Sequence, residues 1–407
     1  MSQPISEAIR KNRFHEFTLD LRGVPVQSGQ TVGVRQVRHA FQFGVNAFWL
    51  TRPLPLDVRA RLEAHFLELF NAATLPFYWG RYEPEEGRPQ QAALQDAAAW
   101  CQSHGIPTKG HPLCWHTVCA DWLLKYDDAT ILEKQMARIT REVSAFKGLV
   151  DSWDVINEVV IMPVFDKYDN AVTRIANYLG HIELTLRCFR QARESNPGAT
   201  LLINDFDLSH DYEVLLEELL ARDCPIDAIG LQTHQHRGYR GADYMTDVID
   251  RFARFGKPLH FTENTLISGE LMPGHIVDLN DYQVSDWPST PEGEARQLEE
   301  VEEMYGTIYA RPEVAALIWW DMLDGGWLGA PAGLIRKDLT PKPAYIRLQE
   351  LVRGEWWFPA CDLVVDGTGA VRFTGPEGDY EITLADRTVP LSLSRDTPQV
   401  TVSLHRG

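Results

Sequence analysis

Ser152-Trp-Asp-Val-Ile-Asn157, followed at once by Glu158, is a largely apolar run of strand length that ends in an amide and a carboxyl. A second run, Pro258-Leu-His-Phe-Thr262, ends on Glu263 in the same way. Six further short apolar runs occupy residues 41–47, 74–78, 106–111, 200–204, 228–232 and 315–320. Amphipathic segments lie between them, at 56–70, 91–103, 129–146, 175–195, 212–221 and 294–310. Eight strands joined by crossover helices form the pattern of an α/β fold of the (β/α)8 TIM barrel kind. The rival is a doubly wound parallel sheet. It is weakened because no glycine-rich phosphate loop follows any of the strands.

The barrel reading takes in residues 41–350 and leaves two flanks, 1–40 and 351–407. Both alternate as short strands. The first holds Glu16-Phe-Thr-Leu-Asp20 and 32–37. The second holds 363–365, 371–373, Gly378-Asp-Tyr-Glu-Ile-Thr-Leu384 and Gln399-Val-Thr-Val-Ser-Leu404, with a turn at Asp366-Gly-Thr-Gly369. Neither flank is long enough to bury a good core by itself. The expectation is that they join into one small accessory β-sandwich beside the barrel, with Trp356 and Trp357 packed between the two parts.

The 407 residues carry 39 basic and 57 acidic side chains, a net charge of −18, with 44% hydrophobic and 24% charged residues. Such a balance excludes nucleic acid and anionic membranes as expected partners, because both require a positive surface. No apolar run approaches the roughly 18 residues that span a bilayer. The six cysteines, Cys101, Cys114, Cys119, Cys188, Cys224 and Cys361, are scattered and read as reduced thiols. The start, Met1-Ser-Gln-Pro-Ile-Ser-Glu, lacks the apolar stretch of a secretory signal. Together these give the cytoplasm as the expected location. A trimmed secreted chain would read the same way, and the oligomeric state is left open.

In a barrel, the chemistry gathers at the C-terminal ends of the strands. The residues collected there are His111, Trp115, His116, Asn157, Glu158, Asn204, Asp205, Gln232, His234, Glu263, Trp320 and Trp327. A carboxylic acid and a carboxylate at neighbouring strand ends are what glycoside cleavage requires. One protonates the leaving oxygen, and the other attacks the anomeric carbon or activates water against it. Tryptophan faces suit the C–H faces of pyranose rings, and amides and imidazoles suit hydroxyls. Trp100, Trp115, Trp122 and Trp153 also read simply as core. The acidic run Glu299-Glu-Val-Glu-Glu303 reads as a solvated helix face.

The chain resembles glycoside hydrolase family 10, the family of retaining β-1,4-xylanases. The resemblance rests on Gly110-His-Pro-Leu-Cys-Trp-His116, Trp153-Asp-Val-Ile-Asn-Glu158, Ile203-Asn-Asp205, Gly230-Leu-Gln-Thr-His234 and Phe261-Thr-Glu263. It extends through Trp320 and Trp327 to Pro341-Lys-Pro-Ala-Tyr345, in the right order from about residue 41 to 350. It implies Glu158 as acid/base and Glu263 as nucleophile, with the carboxyl groups about 5–5.5 Å apart. It implies Asn157 on the 2-hydroxyl of the sugar being cleaved, with His111 and Trp115 lining that sugar's site. Gln232 and His234 would hold and tune the nucleophile, and Trp320 and Trp327 would be aromatic walls. His116, Asn204 and Asp205 would support these groups. The implied partner is a carbohydrate, xylan or a xylo-oligosaccharide, and no cofactor or metal is implied.

Several positions depart from the family pattern. The Glu-Asn pair and Lys-Trp that grip the next sugar on the non-reducing side are missing. In their place stands Thr74-Leu-Pro-Phe-Tyr-Trp-Gly-Arg-Tyr-Glu83, with Phe77, Tyr78, Trp79 and Arg81 nearby. Val118 and Thr265 replace an expected glutamine and aspartate. The polymer is therefore one candidate substrate, and short oligosaccharides or β-glycosides with another leaving group are others, cleaved in endo or exo fashion. A transglycosylase has the same residues. A non-catalytic carbohydrate-binding barrel predicts loss of one carboxyl, and both are present. A metal hydrolase built on His111, His116, His234 and His236 lacks the Asp or Lys pattern that would complete a cage.

Overall fold

The computed structural model describes residues 3–384 and 387–403. Eleven helices and fifteen strands occur among them. The helices are α1 (Gln3–Arg13), α2 (Leu56–Leu69), α3 (Trp79–Tyr82), α4 (Gln91–Ser103), α5 (Asp128–Ala145), α6 (Ala171–Leu179), α7 (His181–Ser195), α8 (His210–Ala221), α9 (Gly241–Ala253), α10 (Pro291–Tyr309) and α11 (Pro343–Glu350). The strands are β1 (Phe14–Asp20), β2 (Thr31–His39), β3 (Gln42–Asn46), β4 (Ala72–Pro76), β5 (Thr108–His111), β6 (Ser152–Asn157), β7 (Thr200–Asp205), β8 (Ala228–Gln235), β9 (Leu259–Leu266), β10 (Val314–Trp319), β11 (Cys361–Val364), β12 (Ala370–Pro376), β13 (Gly378–Leu384), β14 (Arg387–Leu393) and β15 (Gln399–Thr401).

Strands β3 to β10 close into a parallel barrel, with β10 pairing back onto β3. All eight barrel strands lie at or beside the runs read from sequence. The run at 74–78 is displaced: β4 ends at Pro76, so Phe77 and Tyr78 belong to the loop above it. Some helices start where a side chain supplies an orphan N–H group with an acceptor. Asp127 caps α5 through Thr130 N, Asn170 caps α6 through Thr173 N, and Thr290 caps α10, whose first residue is Pro291. The long helix expected over 175–195 is instead two helices. Gly180, at φ +89°, breaks it and ends α6.

Both flanks contribute to a second β unit with its own core. One sheet has the order β12-β1-β15 and the other β11-β2-β13-β14, so each mixes strands from the two ends of the chain. Phe17, Leu19, Val32, Val34, Phe373, Tyr380 and Ile382 are buried between them. Leu404, the expected end of the last strand, lies outside the described residues. The two cores meet at Trp356, which stacks on Tyr309 (4.6 Å) and Phe43 (5.8 Å). Two residues on, Phe358 packs on Phe373 (4.6 Å) in the other core. Arg13 seals the same end of the barrel, donating to the carbonyls of Tyr309, Arg311 and Val314. The β unit thus joins the N-terminal end of β3, and the opposite end, where the strand-end polar residues lie, stays free.

No helix among the described residues is long and apolar enough to cross a membrane. All six cysteines are free. Close packing inside the barrel constrains β5: a Cβ on Gly110 would lie 2.3 Å from the Trp153 ring, which is fully buried. Gly110→Ala is therefore expected to cost about 1–3 kcal/mol through overpacking, read as a lower midpoint in thermal or urea unfolding.

Candidate active site

Glu158 and Glu263 project from the free end of the barrel, one just past β6 and one inside β9. Glu158 adopts φ +56°, a left-handed conformation rare for a residue with a side chain. Its backbone N–H donates to Asn204 O (2.8 Å), which pins the strained turn to β7. Its carboxylate accepts from Trp115 Nε1 (2.8 Å) and Gln232 Nε2 (3.4 Å), and His116 Nε2 lies 3.9 Å away. Burial raises the Glu158 pKa, the neighbouring Glu263 and Asp205 add to the rise, and the net value is about 8 although Trp115 and Gln232 oppose it.

Glu263 is treated differently. Asn204 Nδ2 donates to Oε1 (2.8 Å), and His234 Nε2 lies 3.1 Å from Oε2. His111 Nε2 stands 3.9 Å from Oε1. Burial pushes this carboxyl up, yet His111, His234 and Lys109 together carry it below its ordinary value. His111 is itself held by Asp154 (Nδ1 to Oδ2, 2.8 Å), and Lys109 pairs with the same oxygen at 2.7 Å. Lys109 and Asp154 are both buried in the barrel. They were not foreseen in sequence, although a charged residue inside an apolar strand is a readable signal.

A chain of amides joins the two carboxyls. Gln232 Nε2 donates to Asn157 Oδ1 (3.1 Å), Asn204 Nδ2 to the same oxygen (2.8 Å), and Asn204 Nδ2 also to Glu263. The resemblance implied Gln232 as a holder of Glu263. In the fold Gln232 turns to Asn157 and Glu158, and Asn204 has the place beside Glu263. Both bonds to Asn157 use Oδ1, which leaves its Nδ2 to donate elsewhere. Asp205 serves the loop beside the pair. It accepts from Val160 N (3.1 Å) and Asp207 N (3.0 Å), anchoring the loop that follows Glu158, and burial raises its pKa to about 7.

Aromatic rings wall the site. Trp327 packs on His234 (4.5 Å), and Trp320 stands edge-on to His111 (5.4 Å) and Phe48 (5.3 Å). Tyr78 packs on His111 and Trp115, each at 5.5 Å, and on Phe48 at 5.7 Å. Phe48 was not singled out in sequence, nor were Asn46 and Asp321, which end β3 and follow β10. Asp321, at φ +79°, accepts from Asn46 Nδ2 (3.3 Å) and Trp327 N (2.6 Å), so it shapes the loop that carries Trp327. His236 bonds Thr265 (3.2 Å), as His234 does (3.3 Å). Among the described residues no group of three or more His, Cys, Asp or Glu is placed to hold a metal ion.

Known proteins resemble the chain in sequence and in fold. An endo-1,4-beta-xylanase/feruloyl esterase of Xylanibacter ruminicola is 26% identical over 250 residues, covering 53% of this chain and 34% of that protein. The anti-sigma-I factor RsgI6 of Acetivibrio thermocellus is 25% identical over 412 residues, covering 98% of this chain and 47% of that protein. This chain thus spans about a third to a half of the length of these relatives. Xylanase 10B of Thermotoga petrophila, solved in complex with xylobiose, shares the fold, with a TM-score of 0.61 at 23% identity. The match covers 78% of this chain and 95% of that one. Residues 62–351, well over half the chain, match Glycosyl hydrolase family 10, and the chain belongs to that family.

Proposed function

We propose that the chain is a retaining glycoside hydrolase acting on β-1,4-linked xylose units, with Glu158 as acid/base and Glu263 as nucleophile. The observation that carries this reading is the electrostatic asymmetry of two carboxyls in one buried network. Glu158 is held protonated up to about pH 8, and Glu263 is held ionised by His111 and His234. A pair so divided supplies an acid for the leaving oxygen and a charged nucleophile for the anomeric carbon at the same pH. Glu158 first gives its proton to the leaving group while Glu263 bonds to the sugar. The ionised Glu158 then takes a proton from the water that releases the sugar. Asn157 Nδ2 is the donor suited to the sugar 2-hydroxyl, and Trp320 and Trp327 are the walls suited to its ring.

The family names of the relatives support xylose as the sugar. Short substrates are favoured by the region after β4, where Tyr78 and Arg81 stand in place of the usual polar grips and Phe48, from the loop after β3, packs on Tyr78. Tyr78 fills the space against His111 and Trp115 with a ring, and Arg81 lies 5.7 Å over that ring. A hydroxyl-rich second sugar meets fewer donors and acceptors there.

Four outcomes follow. Glu158→Ala and Glu263→Ala each lower kcat on an aryl β-xylobioside by about a thousandfold or more; near-native turnover in Glu263→Ala would falsify the mechanism. In wild type, kcat/KM falls on the alkaline side as Glu158 loses its proton near pH 8, and on the acid side only below the ordinary carboxylate range. Removing the Glu263 charge with Glu263→Gln lowers the Glu158 midpoint, because a like charge that raised it is gone; carboxyl carbon NMR titration reads this directly. End-labelled xylohexaose yields short products, while polymeric xylan shows a higher KM than that of an ordinary xylanase of the family.

A further inference from the structure

The loops above the barrel differ sharply in length around the ring. The turns after β7 and β8 are short, residues 206–209 and 236–240, whereas β6 leads into 158–170 and β9 into 267–290. The last of these is an ordered piece with its own small core. Ile267, Met272 and Trp287 are buried together with Ala330 and Ala332, and Tyr282 stands edge-on to Trp287 at 4.9 Å. It leans over the end of β8, because Met272 N donates to His236 O (2.9 Å) and Arg237 Nη1 to Ile276 O (3.2 Å). Beyond that point it meets the loop from β6. Lys167 Nζ lies 2.5 Å from Asp278 Oδ2 and 2.7 Å from Asp281 Oδ1.

The two long loops therefore join across the ends of β7 and β8. Each starts beside one carboxyl: Glu158 opens the first, and Glu263 stands in β9 just ahead of the second. In a ring of eight strands β8 lies opposite β4. The region after β4 is the side of the non-reducing sugars, so the bridge spans the side toward which the leaving group departs. Its ion pairs are half open to solvent, with Lys167 42% and Asp281 61% exposed, which makes it a weak closure that thermal motion and salt can release.

We propose that this strap closes the leaving-group end of the cleft and selects for a compact leaving group, one or two sugar units or an aryl group, over a continuing polymer. The inference rests on the glycosidase reading above. Lys167→Glu, made in the full chain, replaces both attractions by repulsions. Its kcat/KM on 4-nitrophenyl β-xylobioside is expected to match wild type, while that on soluble polymeric xylan rises by about fivefold. Wild type in high salt is expected to move in the same direction, which provides a readout independent of the variant's folding. An unchanged ratio of polymer to aryl-glycoside rates in both experiments overturns the strap and leaves the glycosidase standing. A wild-type chain that cleaves neither substrate overturns the glycosidase reading, and the strap with it.

Discussion

One amide, that of Asn204, fixes how the two halves of the site sit. Its Nδ2 donates both to Asn157 Oδ1 and to Glu263 Oε1, tying the strand that ends in Asn157, just before Glu158, to the strand that carries Glu263. The amide cannot flip without loss, because Thr262 Oγ1 donates to its Oδ1 at 2.5 Å. It cannot shift toward β8 either. It sits in the space left by Gly230, where a Cβ would lie 2.4 Å from Asn204 Oδ1. A glycine, a threonine and an asparagine on three successive strands thus form one joint. Because Asn204 and Thr262 are fully buried, leaving the amide or the hydroxyl unpaired would cost the desolvation of that group.

The electrostatics build on that joint. The chain carries a net charge of −18, so a buried carboxyl gains nothing from the global field in staying ionised. The local neighbours decide instead. Lys109 and His111 converge on Asp154 beneath the site, and His111 turns its other nitrogen toward Glu263. Glu158 has only neutral donors, Trp115 and Gln232, with His116 kept neutral by burial that lowers its pKa to about 4. Burial raises both carboxyls, but His111, His234 and Lys109 reverse its effect at Glu263, whereas the charged neighbours of Glu158 are the carboxyls of Glu263 and Asp205, which add to it.

The barrel was legible because its strands are largely buried on both faces and most read as short, mainly apolar runs, with β5 (Thr108-Lys-Gly-His111) the clearest exception. The elements that escaped reading lack that pattern or lack a start signal. Helix α1 buries only Ile9, so no stripe marks it. Helix α9 has a regular stripe, Met245, Val248, Ile249 and Phe252, but opens after Arg240 with no side-chain cap. Strand β14 carries Pro390 at its centre, which argues against a strand unless it lies at an edge, as it does beside β13. Among site residues, strand-end position found the glutamates, the amides and the histidines. It did not find where Gln232 points. Gln232 and Glu263 are partners in the β8–β9 register, yet a register shift at Leu231 accompanies the turn of that side chain toward Asn157. Such irregularities leave no trace in residue order.

The same barrel top also shows how specificity can change while the chemistry stays constant. The joint at Asn204 involves strands only, and it is indifferent to the loops above. None of the loops after β4, β6 and β9 supplies a hydrogen bond to Glu263, although the loop after β6 opens on Glu158 itself and is tied to β7. At one end of the cleft Tyr78 replaces polar grips with a ring; at the other, the long loops after β6 and β9 meet through Lys167. On the proposed reading, both features shorten the space along which a chain of sugars would lie, and neither hydrogen-bonds the carboxyl pair. A site shortened from both ends needs most of its binding energy from the sugar at the centre. On that reading Asn157, His111, Trp320 and Trp327 would surround the point where the charge develops, and interactions made at that point lower the barrier rather than merely tightening ground-state binding.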